Sequence, residues 1–195
     1  MEPISRPPNH EVDKAGYRIG ARLRQLREEK GISLRALAQA TGLTPSFLSQ
    51  VERDLAEPSI KSLRQIAQAL GVPLFLLFVD TAEYDPVVRK AERRIIRFPG
   101  SKLSYQLLVP DLNRQMEAIL TTIGPGGATS DAPISHEGEE WTMVLRGRAT
   151  VFVADQEYIL EEGDCIYYHA TLPHLIRNPG PEELLVISVM TPPKF

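Results

Sequence analysis

Residues 33–53, SLRALAQATGLTPSFLSQVER, constrain the fold more than any other stretch of this chain. They read as two short helices joined by a tight turn. Ser33 is placed as an N-cap, its hydroxyl taking up an amide that the helix start leaves unpaired. Leu34, Leu37 and Ala38 recur at i, i+3 and i+4 and form one apolar stripe. Gly42 falls where the chain must bend sharply, and glycine reaches positive φ without a Cβ clash. Thr44-Pro45 restarts a helix, with Thr44 as cap and Pro45 at the first position, where its missing N–H costs nothing. In this second helix Leu48 and Val51 are predicted inside, leaving Ser46, Phe47, Ser49, Gln50 and Arg53 outside. An outer face that is small, polar and amide-bearing suits the major groove of DNA. Helical bundles also contain such corners, so the neighbouring residues have to decide.

Upstream, Ile19, Leu23 and Leu26 predict a helix ending at Lys30-Gly31. Downstream, Pro58-Ser59 opens another with Ile60, Leu63, Ile66, Ala67 and Leu70 inward, closed by Gly71, and residues 73–78 read as a short fifth helix. The order RLRQLREEKGISLRALAQATGLTPSFLSQVERDLAEPSIKSLRQIAQALGV closely resembles the five-helix, lambda-repressor-like domain of the Cro/C1 (XRE) regulators over roughly 22–78. Spacing, turn glycine, SQVER and the PSIKSLRQIA tail match together. The resemblance implies an internal ion pair between Arg27 and Glu52, fastening the first helix to the recognition helix. It implies a DNA surface of Arg35, Thr44, Pro45, Ser46, Phe47, Ser49, Gln50, Arg53 and Lys61. Gln50 and Ser46 would read base edges, Pro45 and Phe47 would make apolar contacts, and the others would mostly meet phosphate.

Charge places a nucleic-acid partner in the first half, if anywhere. Residues 1–80 hold 11 Lys/Arg against 9 Asp/Glu, and residues 81–195 hold 11 against 16. The single cysteine, Cys165, excludes an internal disulfide and suits a reducing cytoplasm. It lies in an apolar strand and is expected to be buried and inert. No stretch approaches the ~20 apolar residues of a membrane span, and MEPISRPPNHEVDK lacks the apolar core of a signal peptide. The expected protein is cytoplasmic. Residues 1–14 read as a flexible arm, 15–78 as the helical domain with its motif at 33–52, 79–93 as a linker, and 94–195 as a second domain.

That second domain is all β. Short runs with β-branched and aromatic residues, punctuated by Gly and Pro, predict strands near 94–98, 103–109, 115–123, 140–146, 148–153, 156–160, 164–168, 174–178 and 183–190. This spacing indicates an antiparallel sandwich or barrel. Two stretches, GATSDAPISHEGEEWTMVLRGRATV and EEGDCIYYHATLPHLIRNPG, together resemble the paired motifs of the cupin β-barrel, a double-stranded β-helix. His136, Glu140 and Gly147 match the tail of the first motif, with Ile134 standing where the family has its earlier histidine. Gly163, Pro173, His174 and Asn178 fit the second. His169 and Thr171 replace the proline and glycine of its turn.

The cupin resemblance implies that His136, Glu140 and His174 face the barrel interior as a candidate metal set. Two histidines and one carboxylate form the facial arrangement suited to iron(II), and zinc or nickel accept it too. The same three residues also serve as polar lining of an effector pocket without metal. Strand alternation adds Thr142 and Val144 to that pocket and turns Trp141, Met143 and Leu145 outward. That outward stripe calls for a cover, and the family resemblance points to a homodimer through the cupin domains, set on a palindromic operator in double-stranded DNA.

The sequence therefore reads as a multi-domain α + β regulator of transcription whose cupin domain senses a small molecule, with no catalytic residues. The alternative has the same layout. Hydroxypropylphosphonate epoxidase, a non-haem iron oxidoreductase, also joins such a head to a cupin, and its ligand set likewise lacks the first histidine. Arg146, Arg148 and Arg177 are the basic residues near the motifs that a phosphonate would call on.

Overall fold

The computed structural model describes residues 19–78, 86–97, 102–112 and 114–193. The proposed arm at 1–14 and the first part of the linker, 79–85, lie outside them. The head consists of α1 (Gly20–Glu29), α2 (Leu34–Thr41), α3 (Pro45–Val51) and α4 (Ile60–Leu70). The stretch expected to form a fifth helix is instead a four-residue 3₁₀ turn, Leu74–Leu77. With Leu74, Phe75 and Leu77 all buried, packing onto the head rather than a continuous helical ladder fixes this segment.

Local chemistry accounts for each helix start. The hydroxyls of Ser33, Thr44 and Ser59 accept from the amides of Ala36, Phe47 and Ser62. Gly42 ends α2 at φ +70, so the turn between the two motif helices uses the left-handed region. Leu23, Leu37, Leu48, Val51, Leu63 and Ile66 are fully buried where the helices meet. The start of α1 is tied to the end of α3 by the Gly20 amide, which donates to Asp54 Oδ1 at 2.8 Å.

The second domain carries β1 (Ile95–Arg97), β2 (Leu103–Leu107), β3 (Glu117–Ile123), β4 (Glu139–Arg146), β5 (Ala149–Val153), β6 (Gln156–Leu160), β7 (Cys165–His169), β8 (His174–Arg177) and β9 (Leu184–Thr191). All nine fall on the predicted runs, with ends that differ by a few residues. They form a six-stranded sheet in the order β1-β2-β3-β9-β4-β7 and a three-stranded sheet β6-β5-β8, antiparallel throughout. In β4 the buried residues are Glu140, Thr142 and Val144, which is the predicted inward set.

Cys165 contradicts expectation: it is exposed. Strand β7 lies at the open edge of the large sheet, and Cys165 sits on its outer side opposite Met143. Alternation therefore buries Tyr168 instead.

The junction of loop and β4 depends on Gly138. Its φ is +92, and a Cβ there would lie 1.9 Å from the Thr191 carbonyl oxygen. Neither the backbone angle nor that backbone atom can give way cheaply. Gly138→Ala is expected to lower barrel stability by about 2 kcal/mol or more, within the range of overpacking and left-handed strain. Thermal unfolding of the two proteins checks this.

Candidate functional site: a histidine–carboxylate cluster behind a DNA-reading head

Three polar side chains converge inside the barrel. Glu140 comes from β4, His174 opens β8, and His136 lies on the loop entering β4. Backbone pairing holds that loop in place: Ile134 and His174 exchange hydrogen bonds at 3.0 and 2.8 Å, and His136 N–H donates to Ala170 O at 2.9 Å. Asn178, from the second cupin motif, is a structural pin. Its amide donates to the carbonyls of Ile123 and Glu182 and accepts from the Gly180 amide.

One ligand atom from each of His136, Glu140 and His174 lies within 4.8 Å of the others. His136 Nε2 and His174 Nε2 stand 3.5 and 3.6 Å from the same oxygen, Glu140 Oε2. On their other sides His174 Nδ1 is 2.8 Å from Leu172 O and His136 Nδ1 is 3.1 Å from Glu137 O. A carbonyl only accepts, so both Nδ1 atoms carry the proton. Both Nε2 atoms are thereby turned towards the same carboxylate oxygen. Burial holds His174 below the usual histidine pKa, against the raising effect of Glu140 and the Leu172 carbonyl. Burial works to raise Glu140, and the two imidazoles and the Thr142 hydroxyl overcome it, leaving the carboxyl below its usual range. Two imidazole nitrogens gathered on one carboxylate oxygen call for a shared positive charge, carried by ring protons or by a metal ion. His136 Nε2 is accordingly buried with no hydrogen-bond partner among the described residues. The donor set and its outer hydrogen bonds fit a divalent metal ion.

A hydroxyl relay orients the carboxylate. Thr142 donates to Glu140 Oε1 at 3.1 Å, and Ser188 Oγ lies 2.6 Å behind Thr142, placed to donate to it. Neither Ser188 nor Tyr168, whose ring centroid is 5.1 Å from that of His174, was singled out by the sequence reading. Both face inward by strand alternation, and that period was the signal available. Thr142 reaches the site through this relay, whereas Val144 is fully buried in the core and does not line the cavity beside Glu140 and His174. His169 is exposed, with Nδ1 3.7 Å from Glu139.

In the head, Ser46, Gln50, Arg53, Arg35 and Lys61 are exposed, as are Thr44 and Pro45 at the tip of α3. Ser49 is half-buried. Phe47 differs from expectation, being half-buried and packed against the core. Its place on a seven-residue helix brings it to the seam with the other helices. The implied Arg27–Glu52 pair is present as a fork: Nε to Oε1 at 2.6 Å and Nη2 to Oε2 at 3.0 Å.

A helix-turn-helix head joined to a cupin barrel defines the class, and the comparisons agree. The Helix-turn-helix family profile matches residues 23–77 and the Cupin domain profile matches residues 119–190. The HTH-type transcriptional regulator PuuR of Escherichia coli is 30% identical over 182 residues, covering 92% of this chain and 98% of that protein. SutR of the same organism is 28% identical over 185 residues, covering 90% and 96%. The crystal structure of an HTH_3 family transcriptional regulator from Vibrio cholerae superposes with a TM-score of 0.72 at 26% identity, covering 90% of this chain and 95% of that one. The chain belongs to the HTH-type transcriptional regulators of the XRE family that carry a C-terminal cupin domain.

Proposed function

We propose that this regulator works as a cytoplasmic homodimer that reads a palindromic operator through α3 and responds to a small molecule held by the cupin half. The observation that carries the DNA reading is the intact recognition unit, in which α3 is capped by Thr44, clamped by the Arg27–Glu52 fork, and presents Ser46 and Gln50 to solvent. Gln50 offers an amide for two-pronged pairing with adenine, and Arg35 and Lys61 stand near helix starts where phosphates are met. No helix among the described residues is long and apolar enough to cross a membrane.

The dimer is supported by the outer face of the large sheet. Trp141 and Met143 of β4 lie beside Val189 and Ile187 of β9, which lie beside Ala118 and Leu120 of β3. That continuous apolar face fits a second copy of the barrel. The cluster of His136, Glu140 and His174 is proposed to hold iron(II), zinc or nickel, tying the mouth loop to β4 and β8.

The enzyme alternative is not favoured. Arg146 and Arg148 are exposed and engaged with Glu183 and Glu161, and Arg177 lies over the Phe152 ring. None of the three lines the hollow beside Glu140 and His174. The functional assignment is tested by selecting duplexes from a random pool with the purified protein; a two-fold symmetric consensus is expected, and an unenriched pool would refute it. For the metal, native mass spectrometry of protein purified without chelators should show two chains and up to one divalent ion per chain. Glu140→Gln and His174→Ala are each expected to lower metal occupancy at least about tenfold. Occupancy unchanged in both variants would remove the assignment.

A further inference from the structure

The hollow beside Glu140 and His174 is only about 20 Å³, the scale of a single water and far below a metabolite pocket. The barrel interior thus has room for an ion with one small ligand of its own, not for an organic effector. We propose that the effector is the divalent cation itself, held by His136, Glu140 and His174, and that the mouth loop and an Arg64–Tyr105 link report its presence to the head. This rests on the regulator and metal-cluster readings above and names the ligand class to which the regulator answers.

Two connections join the cluster to the head. The first is the loop that carries His136. Among the described residues, 134–137 form the whole barrel side of a cavity of about 280 Å³, and Arg64, Ala67 and Val72 stand on its head side. His136 is therefore a ligand of the cluster and a wall of the space between the domains at once. The second connection runs through side chains. Arg64 Nη2 of α4 donates to Tyr105 Oη at 2.7 Å, and Tyr105 lines the hollow together with Glu140 and His174. The same phenol donates to Thr129 O at 3.3 Å, which fixes it from the barrel side. Burial is the main cause that holds His174 below the usual histidine pKa, and Arg64 acts in the same direction, so the head's charge is felt at the cluster. Arg64 takes part through contacts it already makes. A dication adds charge of the same sign beside this link and ties the His136 loop to β4 and β8. Both effects alter how well the head sits on the barrel, and the cavity gives α4 space to resettle. An ion that binds two head positions unequally shifts their populations, and DNA then changes the ion's affinity by the same factor.

The test uses the full-length protein, stripped with a chelator and then loaded with zinc, nickel or, without oxygen, iron(II). Fluorescence anisotropy measures the affinity of each state for the selected palindrome. At least one ion is expected to change that affinity about tenfold or more, within the usual range of coupling between two sites. Titrating the ion with and without saturating palindrome should return the same factor. Tyr105→Phe and Arg64→Gln should each still bind the ion and lose most of the response. His174→Ala should lose the ion and the response together. An affinity that all three ions leave unchanged would overturn the proposal. So would link variants that both keep the full response or both lose the ion. A bound ion without a response refutes this proposal alone, whereas no bound ion refutes the metal assignment with it. Failure of both the stripped and the loaded protein to bind any duplex refutes the regulator reading.

Discussion

Arg27→Met should destabilise the head by about 3–5 kcal/mol, the cost of breaking a buried ion pair from one side. The Arg27 and Glu52 side chains are only 11% and 6% exposed. The guanidinium also donates to the Ile32 carbonyl at 2.9 Å, so it closes the α1–α2 turn as well as the α1–α3 seam. Removing it leaves the buried Glu52 carboxylate without its fork and deprives a carbonyl of its donor. Methionine keeps much of the volume, which separates lost charge pairing from lost packing. Arg27→Met with Glu52→Leu should recover most of the loss, because an apolar pair carries no desolvation cost. Urea unfolding followed by far-ultraviolet circular dichroism reads both variants, with the helical signal expected to melt ahead of the barrel. A single variant within about 0.5 kcal/mol of the parent, as for an ordinary surface change, would show that the fork is not what holds α3 in place.

Ser46→Ala with Gln50→Ala should abolish the preference for the operator while leaving binding to unrelated duplex nearly intact. Each good base contact contributes ~1–3 kcal/mol of discrimination, so the pair accounts for roughly a hundredfold or more. Both side chains are exposed on α3, and neither is needed for packing, so the fold should be unaffected. Lys61→Ala and Arg35→Ala have a different signature. Phosphate contacts weaken all sequences alike and reduce the salt slope by about one per contact. If the double variant instead weakened every duplex equally, Ser46 and Gln50 would be positioning residues and the base-reading residues would lie elsewhere.

The sequence carried the head and the strands because their signals are local. Caps at Ser33, Thr44 and Ser59, the left-handed Gly42 and the alternating burial of β4 each follow from a few neighbouring residues. What stayed hidden depends on packing between distant segments. Cys165 lies in an apolar run, but only strand order reveals that the run forms a sheet edge. Residues 74–77 have helical composition, yet tertiary contact holds them as a single 3₁₀ turn. In the site, His136, Glu140 and His174 were legible through the spacing of two motifs. The Ser188–Thr142 relay and the Arg64–Tyr105 bond join residues 46 and 41 positions apart, and no local pattern encodes either.

The most direct test of the account is an equilibrium titration of the purified protein with its selected palindrome and a scrambled duplex, at low and at physiological salt. The account predicts two chains per palindrome, a steep loss of affinity with salt, and a preference for the palindrome of about a thousandfold or more. Equal affinity for both duplexes, or no binding to either at low salt, would contradict it.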